Sequence, residues 1–399
     1  MNCKATISLE SAAATAWDVV VVGAGPGGSL AARELARRDL RVLLVDKATF
    51  PRFKVCGGCL NRRSMALLES VGLGQLPGQL GGRPIEGIDL FAGSRSARIR
   101  LAGGVSISRE QFDAALVTEA IVSGASFLPA VRVVDTTCLG ETRNVQCQSH
   151  ARKENLSARV VIASHGLNAI GDPTAWRGET AAGSRIGAGV IACQQSDTFP
   201  SEKITMMCGQ HGYVGAVRLE DARVGLAAAL DPVAVKRTGG LGNAVAAIVA
   251  ETTYPDLPWL ADLPWVGTPL LTRSPGHVAA ERIFFIGDAA GYVEPFTGEG
   301  IAWALSTGRE IVPIVQQATK CWQQELPALW TRTHRQIIRR RQWLIRTVAS
   351  VLRRSSLTKL MVAALAISPI PATPITSWLD RLPPASNGKG EKPEIRGAA

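Results

Sequence analysis

The sequence predicts an α/β fold: a Rossmann-like nucleotide-binding domain of discontinuous segments, an inserted mixed β-sheet substrate domain, and C-terminal helices. Three observations carry this. Asp18 to Asp46, DVVVVGAGPGGSLAARELARRDLRVLLVD, reads as strand, glycine turn, helix and strand. An apolar run at Ile283 to Ile286 leads into Gly287-Asp288 and a helix opened by glycines, the form of a second nucleotide-facing unit far along the chain. Between them, from about Gly171 to Gly276, short apolar alternations are broken by Pro and Gly, the texture of a mixed sheet.

In the first unit, Val19 to Val22 has the unbroken apolar character of a strand covered on both faces. Gly23, Gly25 and Gly28 fit G-x-G-x-x-G. The first glycine allows the tight turn, the second lets a pyrophosphate approach the backbone, and the third lets the helix sit close to the strand. An anion there meets free N–H groups at the helix N-terminus. Leu30, Ala31, Leu35 and Ala36 give the helix an apolar face, Val42 to Val45 form the next strand, and Asp46 stands eighteen residues after Gly28, where a carboxylate reaches an adenosine ribose. This unit indicates an adenine dinucleotide without separating NAD from FAD.

With 399 residues, 46% hydrophobic and 19% charged, the chain is of globular rather than disordered composition. Met1 to Trp17 lacks the tripartite form of a secretory signal and reads as a loose extension. No run of about 18 uncharged apolar residues suggests a membrane span. Eight cysteines without such a signal suggest reduced thiols and a cytoplasmic location. The net charge of +11 is concentrated: Thr331 to Leu360 holds Arg332, Arg335, Arg339, Arg340, Arg341, Arg346, Arg353, Arg354 and Lys359 and no acid, leaving the remainder nearly neutral.

After Asp46 and Lys47, Pro51 and Gly57-Gly58 mark a loop, and Arg63 to Ser70 reads as a short helix ending at Gly72. Cys56 and Cys59 form a C-x-x-C with no second ligand pair, so no metal site is expected; two small buried thiols in a glycine-rich loop are. The stretch FPRFKVCGGCLNRR resembles the loop after the second strand in the geranylgeranyl-reductase-like branch of the FAD-dependent monooxygenase superfamily, the p-hydroxybenzoate hydroxylase type of fold. There a "PRxKxCGxGL" pattern folds over the flavin. The resemblance implies that Arg52, Lys54, Cys56, Gly57 and Gly58 lie by the isoalloxazine or the pyrophosphate, with Cys59 replacing the usual glycine and Arg52 and Cys56 as catalytic candidates; Lys47 is a further cofactor-binding candidate.

Ile85 to Leu101, carrying Arg95, Arg98 and Arg100, is expected to supply strands of the second sheet. Ser106 to Gly124 reads as a helix, with Ser108 and Gln111 placed for a capping box and Phe112, Leu116, Ala120 and Ile121 at helical spacing. The family places an FAD-contacting arginine at the start of this helix, which implies that role for Arg109. Ser126 to Asp135 and Val145 to Ser149 are expected as two strands joined by a turn, and Arg159 to Ala163 as a buried strand. It runs into His165-Gly166, where related hydroxylases read Asp-Gly, a departure that bears on direct reduction by NAD(P)H. Gly212 to Leu230 reads as a hairpin turning at Glu220 to Ala222, and a helix is expected near Asn243 to Glu251. The isoprenoid reductases carry "YxWxFP" near that hairpin; here Tyr213 remains, but Gly215 and Val217 replace Trp and Phe.

The segment from Gly287, GDAAGYVEPFTGEGIAWALSTG, resembles the second FAD fingerprint of the superfamily. That implies Asp288 at the ribityl O3′ and Pro295, Gly298 and Gly300 in a loop facing the flavin ring. Two fingerprints roughly 260 residues apart, in this order, select FAD over NAD. Cys321 to Asp380 reads as helices in which Trp343, Leu344, Thr347, Val348, Val351 and Leu352 keep an apolar stripe, repeated by Leu357, Leu360, Met361, Ala364 and Leu365. The stripe is expected to pack on the enzyme body; a basic amphipathic helix on an anionic membrane surface is the other reading. No nucleic-acid recognition element is seen.

The expected organisation is an FAD-binding domain from 17–80, 105–170 and 277–320, a substrate domain from 81–104 and 171–276, a helical region at 321–380 and a disordered tail at 381–399. The expected activity is that of an FAD-dependent oxidoreductase acting on a lipophilic or aromatic small molecule, foremost a flavin monooxygenase using NAD(P)H and O2, in secondary metabolism. The alternatives are C=C reduction by a geranylgeranyl-reductase-like enzyme and a non-catalytic flavin-binding protein. Halogenation is disfavoured because no Lys stands in the expected context.

Overall fold

The computed structural model describes residues 3–150, 152–167, 178–193, 198–274, 276–294, 296 and 298–367, with backbone alone at 339–344. The expected tail at 381–399 therefore lies outside the described residues.

Eight strands form the first sheet: β1 (Ala16–Val22), β2 (Val42–Val45), β8 (Ser126–Leu128), β9 (Arg132–Leu139), β10 (Thr142–Gln148), β11 (Lys153–Ala163), β17 (Ala279–Ala280) and β18 (Ile283–Phe285). Its main path runs β17-β18-β11-β1-β2-β8. Strand β1 lies inside it, parallel to β2 and to β11, and β18 adds parallel to β11. The apolar run Val19 to Val22 is buried because helices cover it: α2 (Pro26–Ala36), every residue of which is buried, and α9 (Val312–Lys320), whose Ile314 and Val315 join the same core.

The second sheet holds β5 (Gly87–Ala92), β6 (Arg95–Arg100), β12 (Ile186–Ala192), β13 (Lys203–Gly209), β14 (Gly212–Arg218), β15 (Val224–Leu230) and β16 (Val266–Leu270), in the order β16-β12-β15-β14-β13-β5-β6. Only β13 and β5 pair in parallel. Period-two alternation divides its strands. Met207, Val214, Ala216 and Leu226 face a core closed by α7 (Leu241–Ala250), which follows α6 (Pro232–Thr238). Their neighbours Met206, Tyr213, Gly215, Val217 and Ala227 face the first domain across a cavity. A small sheet of β3 (Cys59–Asn61), β4 (Arg83–Pro84) and β7 (Gly104–Ser106) stitches the post-Asp46 loop to this roof.

Helices α3 (Arg62–Ser70), α4 (Leu76–Gln79), α5 (Arg109–Val122) and α8 (Gly300–Glu310) complete the nucleotide side. The C-terminal α10 (Leu326–Leu352) and α11 (Ser355–Ile367) pack on the body through Trp330, Ile337, Ile345, Leu352 and Val362. Of the expected stripe Leu352 is buried and Val348, Met361 and Leu365 are partly buried, while Thr347, Leu357, Leu360 and Ala364 are exposed, which corrects the expectation that the whole stripe packs inward. The side chains of Trp343 and Leu344 lie outside the described residues.

Several local expectations need correction. The N-terminal extension is not loose: α1 (Leu9–Ala13) caps on Ser8, Cys3 is buried, and Thr6 hydrogen-bonds Phe127 through backbone and side chain. Ser126 to Asp135 is two strands, broken where Ala130 takes a positive φ of 58°, because β8 belongs to the parallel ladder and β9 to an antiparallel hairpin. At α5, Ser108 Oγ does accept from the Gln111 N–H, but the Ser108 N–H donates to Glu220 from the β14–β15 turn, so a distant residue completes the cap.

Candidate functional site

A cavity of about 630 Å³ runs from the Gly23 turn, between the two sheets, to Tyr213 and Leu271 on the roof. Gly23 has a φ of 105°, and a Cβ there would sit 2.5 Å from the Ser164 carbonyl oxygen. Gly28 lies against the Gly23 carbonyl, which is the strand–helix approach its place in the motif demands. Gly25 meets nothing nearer than the guanidinium nitrogens of Arg52 and Arg109, at 3.9 and 4.0 Å, so its backbone opens onto two cations. Asp46 Oδ2 accepts the Ala24 N–H at 2.8 Å and Oδ1 the Ala48 N–H at 2.9 Å, tying the turn to β2. Lys47 lines the same end.

The two arginines converge on a residue that the sequence reading missed. Arg109 donates to both oxygens of Asp113, at 2.8 and 2.6 Å, and Arg52 reaches Oδ2 at 3.2 Å. Asp113 is fully buried, and burial works against its charge, yet Arg109 and then Arg52 hold its carboxyl below the usual carboxylate value. An acid four residues after an arginine on one helix was the available signal. Arg52 also lies 4.9 Å from the Phe50 ring centre.

The loop after Asp46 enters the middle of the cavity. Arg109 and Cys56 line the same stretch of wall, and Gly57 has open space around its α-carbon. Cys56 and Cys59 are half-buried free thiols rather than buried ones. The Cys59 thiol donates to the Gly57 carbonyl at 3.2 Å, and burial, with Cys56 beside it, pushes it up. Lys54 stands 3.8 Å from Asp288, at the end of β18. A third of its side chain is exposed, but onto the cavity, and enclosure followed by the nearby arginines lowers its ammonium despite Asp288. His165 lies at the wall with its ring edge-on to Phe285.

On the return segment, Gly287 has a φ of 58° and donates its N–H to Thr307 of α8 at 3.0 Å; Gly298 has a φ of 69°. Pro295 lies outside the described residues. The N-terminus of α8 is pinned by buried polar groups: Asn61 and Arg63 both donate to Glu299, and Arg63 also to Ser306. Helix α8 presses on α2 where Gly308, the last glycine of the second fingerprint, meets Gly27, which the first fingerprint does not use. Of the sequence-predicted residues, Gly23, Gly25, Asp46, Lys47, Arg52, Cys56, Gly57, Arg109, Gly287, Asp288, Gly298 and Gly300 all line the cavity, while Gly28 packs behind it. Among the described residues no group of three or more His, Cys, Asp or Glu could hold a metal.

A glycine turn over paired guanidiniums, continuous with a cleft long enough to reach a second sheet, is the form of a flavin dinucleotide site. The profile of the FAD binding domain family matches residues 16–181. The chain is 26% identical over 322 residues to the menaquinone reductase of Mycolicibacterium smegmatis, covering 74% of this chain and 75% of that one. It is 27% identical over 320 residues to digeranylgeranylglycerophospholipid reductase 1 of Methanopyrus kandleri, covering 73% and 78%. Its fold is similar to that of the flavin-dependent brominase Bmp2, with a TM-score of 0.73 at 16% identity over 92% of this chain and 94% of that one. Residues 16–181 thus carry an FAD binding domain, which supports FAD as the cofactor, and the chain is similar in sequence and fold to proteins of the FAD-dependent monooxygenase and geranylgeranyl-reductase-like kind.

Proposed function

We propose that this FAD-dependent oxidoreductase reduces a C=C bond of a lipophilic small molecule. The observation that carries the reading is the roof-side wall. It is made of Ile88, Ile204, Met206, Val217, Ala227 and Leu271 with Tyr213 and Thr268, and offers no carboxylate or imidazole among the described residues. Such a wall selects apolar matter and has no base to activate a phenol. The relatives named as reductases of menaquinone and of geranylgeranylated lipids support the same direction.

In this reading FAD, when bound, supplies the hydride. Arg52 and Arg109 hold its pyrophosphate, with Asp113 fixing both guanidiniums; Asp288 and the Gly298–Gly300 turn meet the ribityl chain and ring. Asp46 and Lys47 stand at the adenosine end. The roof orients the substrate and excludes water. Cys56 is the proton source: its S–H bond breaks as a C–H bond forms at the second alkene carbon, and solvent then reprotonates the thiolate. NAD(P)H is the proposed reductant. We also propose that 17–80, 105–170 and 277–320 act as the FAD-binding part and 81–104 with 171–276 as the substrate part.

Hydroxylation with NAD(P)H and O2 is the second reading. Gly215 and Val217 favour it, since they remove the aromatic residues found in isoprenoid reductases. Gly215 in fact yields its space to Met206, whose sulfur would lie 2.9 Å from a Cβ there. The test is anaerobic: photoreduced protein is mixed with a polyunsaturated menaquinone. Saturation of a side-chain double bond without O2, lost in Cys56→Ala, is the expected result. A substrate untouched until O2 is admitted, then recovered with an added oxygen atom, would establish hydroxylation instead.

A further inference from the structure

We propose that α11 is an interfacial docking element that seats the apolar end of the cavity on an anionic bilayer surface. The helix has two faces. Thr358 and Val362 are buried against the roof, where Val362 joins a cluster with Leu90, Met206, Tyr213 and Leu271. Met206, Tyr213 and Leu271 of that cluster also line the cavity, so α11 closes its substrate end from outside.

On the opposite face stand Leu357, Leu360, Ala364 and Ile367, at intervals of three and four residues that make one helical stripe. All four are exposed; Leu360 is 66% and Ile367 88% accessible. A helix whose outer face met only water would carry polar groups at these positions, because each leucine left in water forgoes about 1.5–3 kcal/mol of burial.

The rim shows what covers the stripe. Arg354 and Lys359 are exposed beside it, and Lys359 lies along Gly93 in the β5–β6 turn, next to exposed Arg95 on the edge strand β6. No acid occurs between Thr331 and Ile367. An apolar stripe bordered by cations without a compensating acid is complementary to acyl chains beneath anionic headgroups. Among the described residues no helix is long and apolar enough to cross a membrane, so the contact is one of lying on the surface. The docking holds whether the reaction is reduction or hydroxylation; that a lipophilic substrate enters from the bilayer rests on the proposed apolar substrate.

The test is flotation of the full chain with bound flavin, using phosphatidylcholine vesicles and vesicles of equal parts phosphatidylcholine and phosphatidylglycerol. Flotation with the mixed vesicles at low salt is expected, falling in high salt or with phosphatidylcholine alone. Leu360→Glu with Ile367→Glu lowers the bound-to-free ratio about tenfold or more. Arg354→Glu with Lys359→Glu lowers it by about fivefold for each charge removed, on mixed vesicles only. Val233→Glu, at an exposed apolar residue of α6, leaves it unchanged. Retained flavin absorbance and melting temperature report folding, and Ala364→Glu repeats the test if the double variant loses its flavin. Absence of flotation with mixed vesicles, or equal flotation of the native and stripe-altered chains, would overturn the proposal, and would point to a protein or the chain's own C-terminal residues as the cover.

Discussion

At the Gly23 end of the cavity the wall is backbone and fixed charge, with three glycines, paired arginines and a buried aspartate; at the Tyr213 end it is a sheet face of alanine, glycine, methionine and valine. The first end tolerates little change, because an added methyl meets a carbonyl oxygen and a lost carboxylate strands two guanidiniums. The second leaves room, and its residues are exchangeable apolar bulk. One end is built to hold a single ligand in a single pose, and the other to admit a class of molecules by size and polarity.

The contrast can be broken most strongly at Asp113. Asp113→Leu leaves Arg109 buried and unpaired, and should cost about 3–5 kcal/mol in denaturant melts together with bound flavin. The same carboxylate has a pH signature. Its folded value lies below the unfolded one, so its stabilisation is complete above about pH 4 and is lost as the pH falls through the folded value; Asp113→Asn removes that part of the acid limb.

His334, buried on α10 beside Trp330, marks a region belonging to neither end. Burial lowers its value from 6.5 to about 4, so it folds neutral. Stability should be full above about pH 6.5 and fall between there and 4, by about 3 kcal/mol. His334→Phe should flatten that interval in pH-dependent melts while leaving the limb below pH 4. Gly28→Ala is expected to cost about 1–3 kcal/mol and to weaken flavin retention, because its methyl meets the Gly23 carbonyl. The smallest effect belongs to the roof. Ala227→Leu should leave flavin content and melting temperature within error while raising KM for long substrates over short ones, and an equal loss of flavin in both roof and turn variants would erase the comparison.

Local signals made the turn legible. A glycine that needs a positive φ or a close approach, an arginine at a helix start and a strand end at Asp46 each act within a few residues, so the spacing of Gly23, Gly25 and Gly28 could be read directly. The hairpin of β14 and β15 in the roof was also legible, since its apolar run and its turn at Glu220 to Ala222 are local. Their partners were not. Nothing near Ser108 announces that Glu220 completes its cap, and nothing near Arg63 announces Glu299; these contacts join residues more than 100 positions apart.

By itself, then, the sequence determined the cofactor class, the two nucleotide-facing units and the apolar character of the inserted sheet, because glycine geometry and side-chain periodicity are properties of short stretches. The tertiary structure alone decided that Asp113 governs both arginines, that Met206 fills the place opened by Gly215, and that α11 turns one apolar stripe inward and leaves another outside. Those outcomes depend on which surfaces meet after the chain has crossed from one sheet to the other, and meeting surfaces are set by packing and charge over long separations.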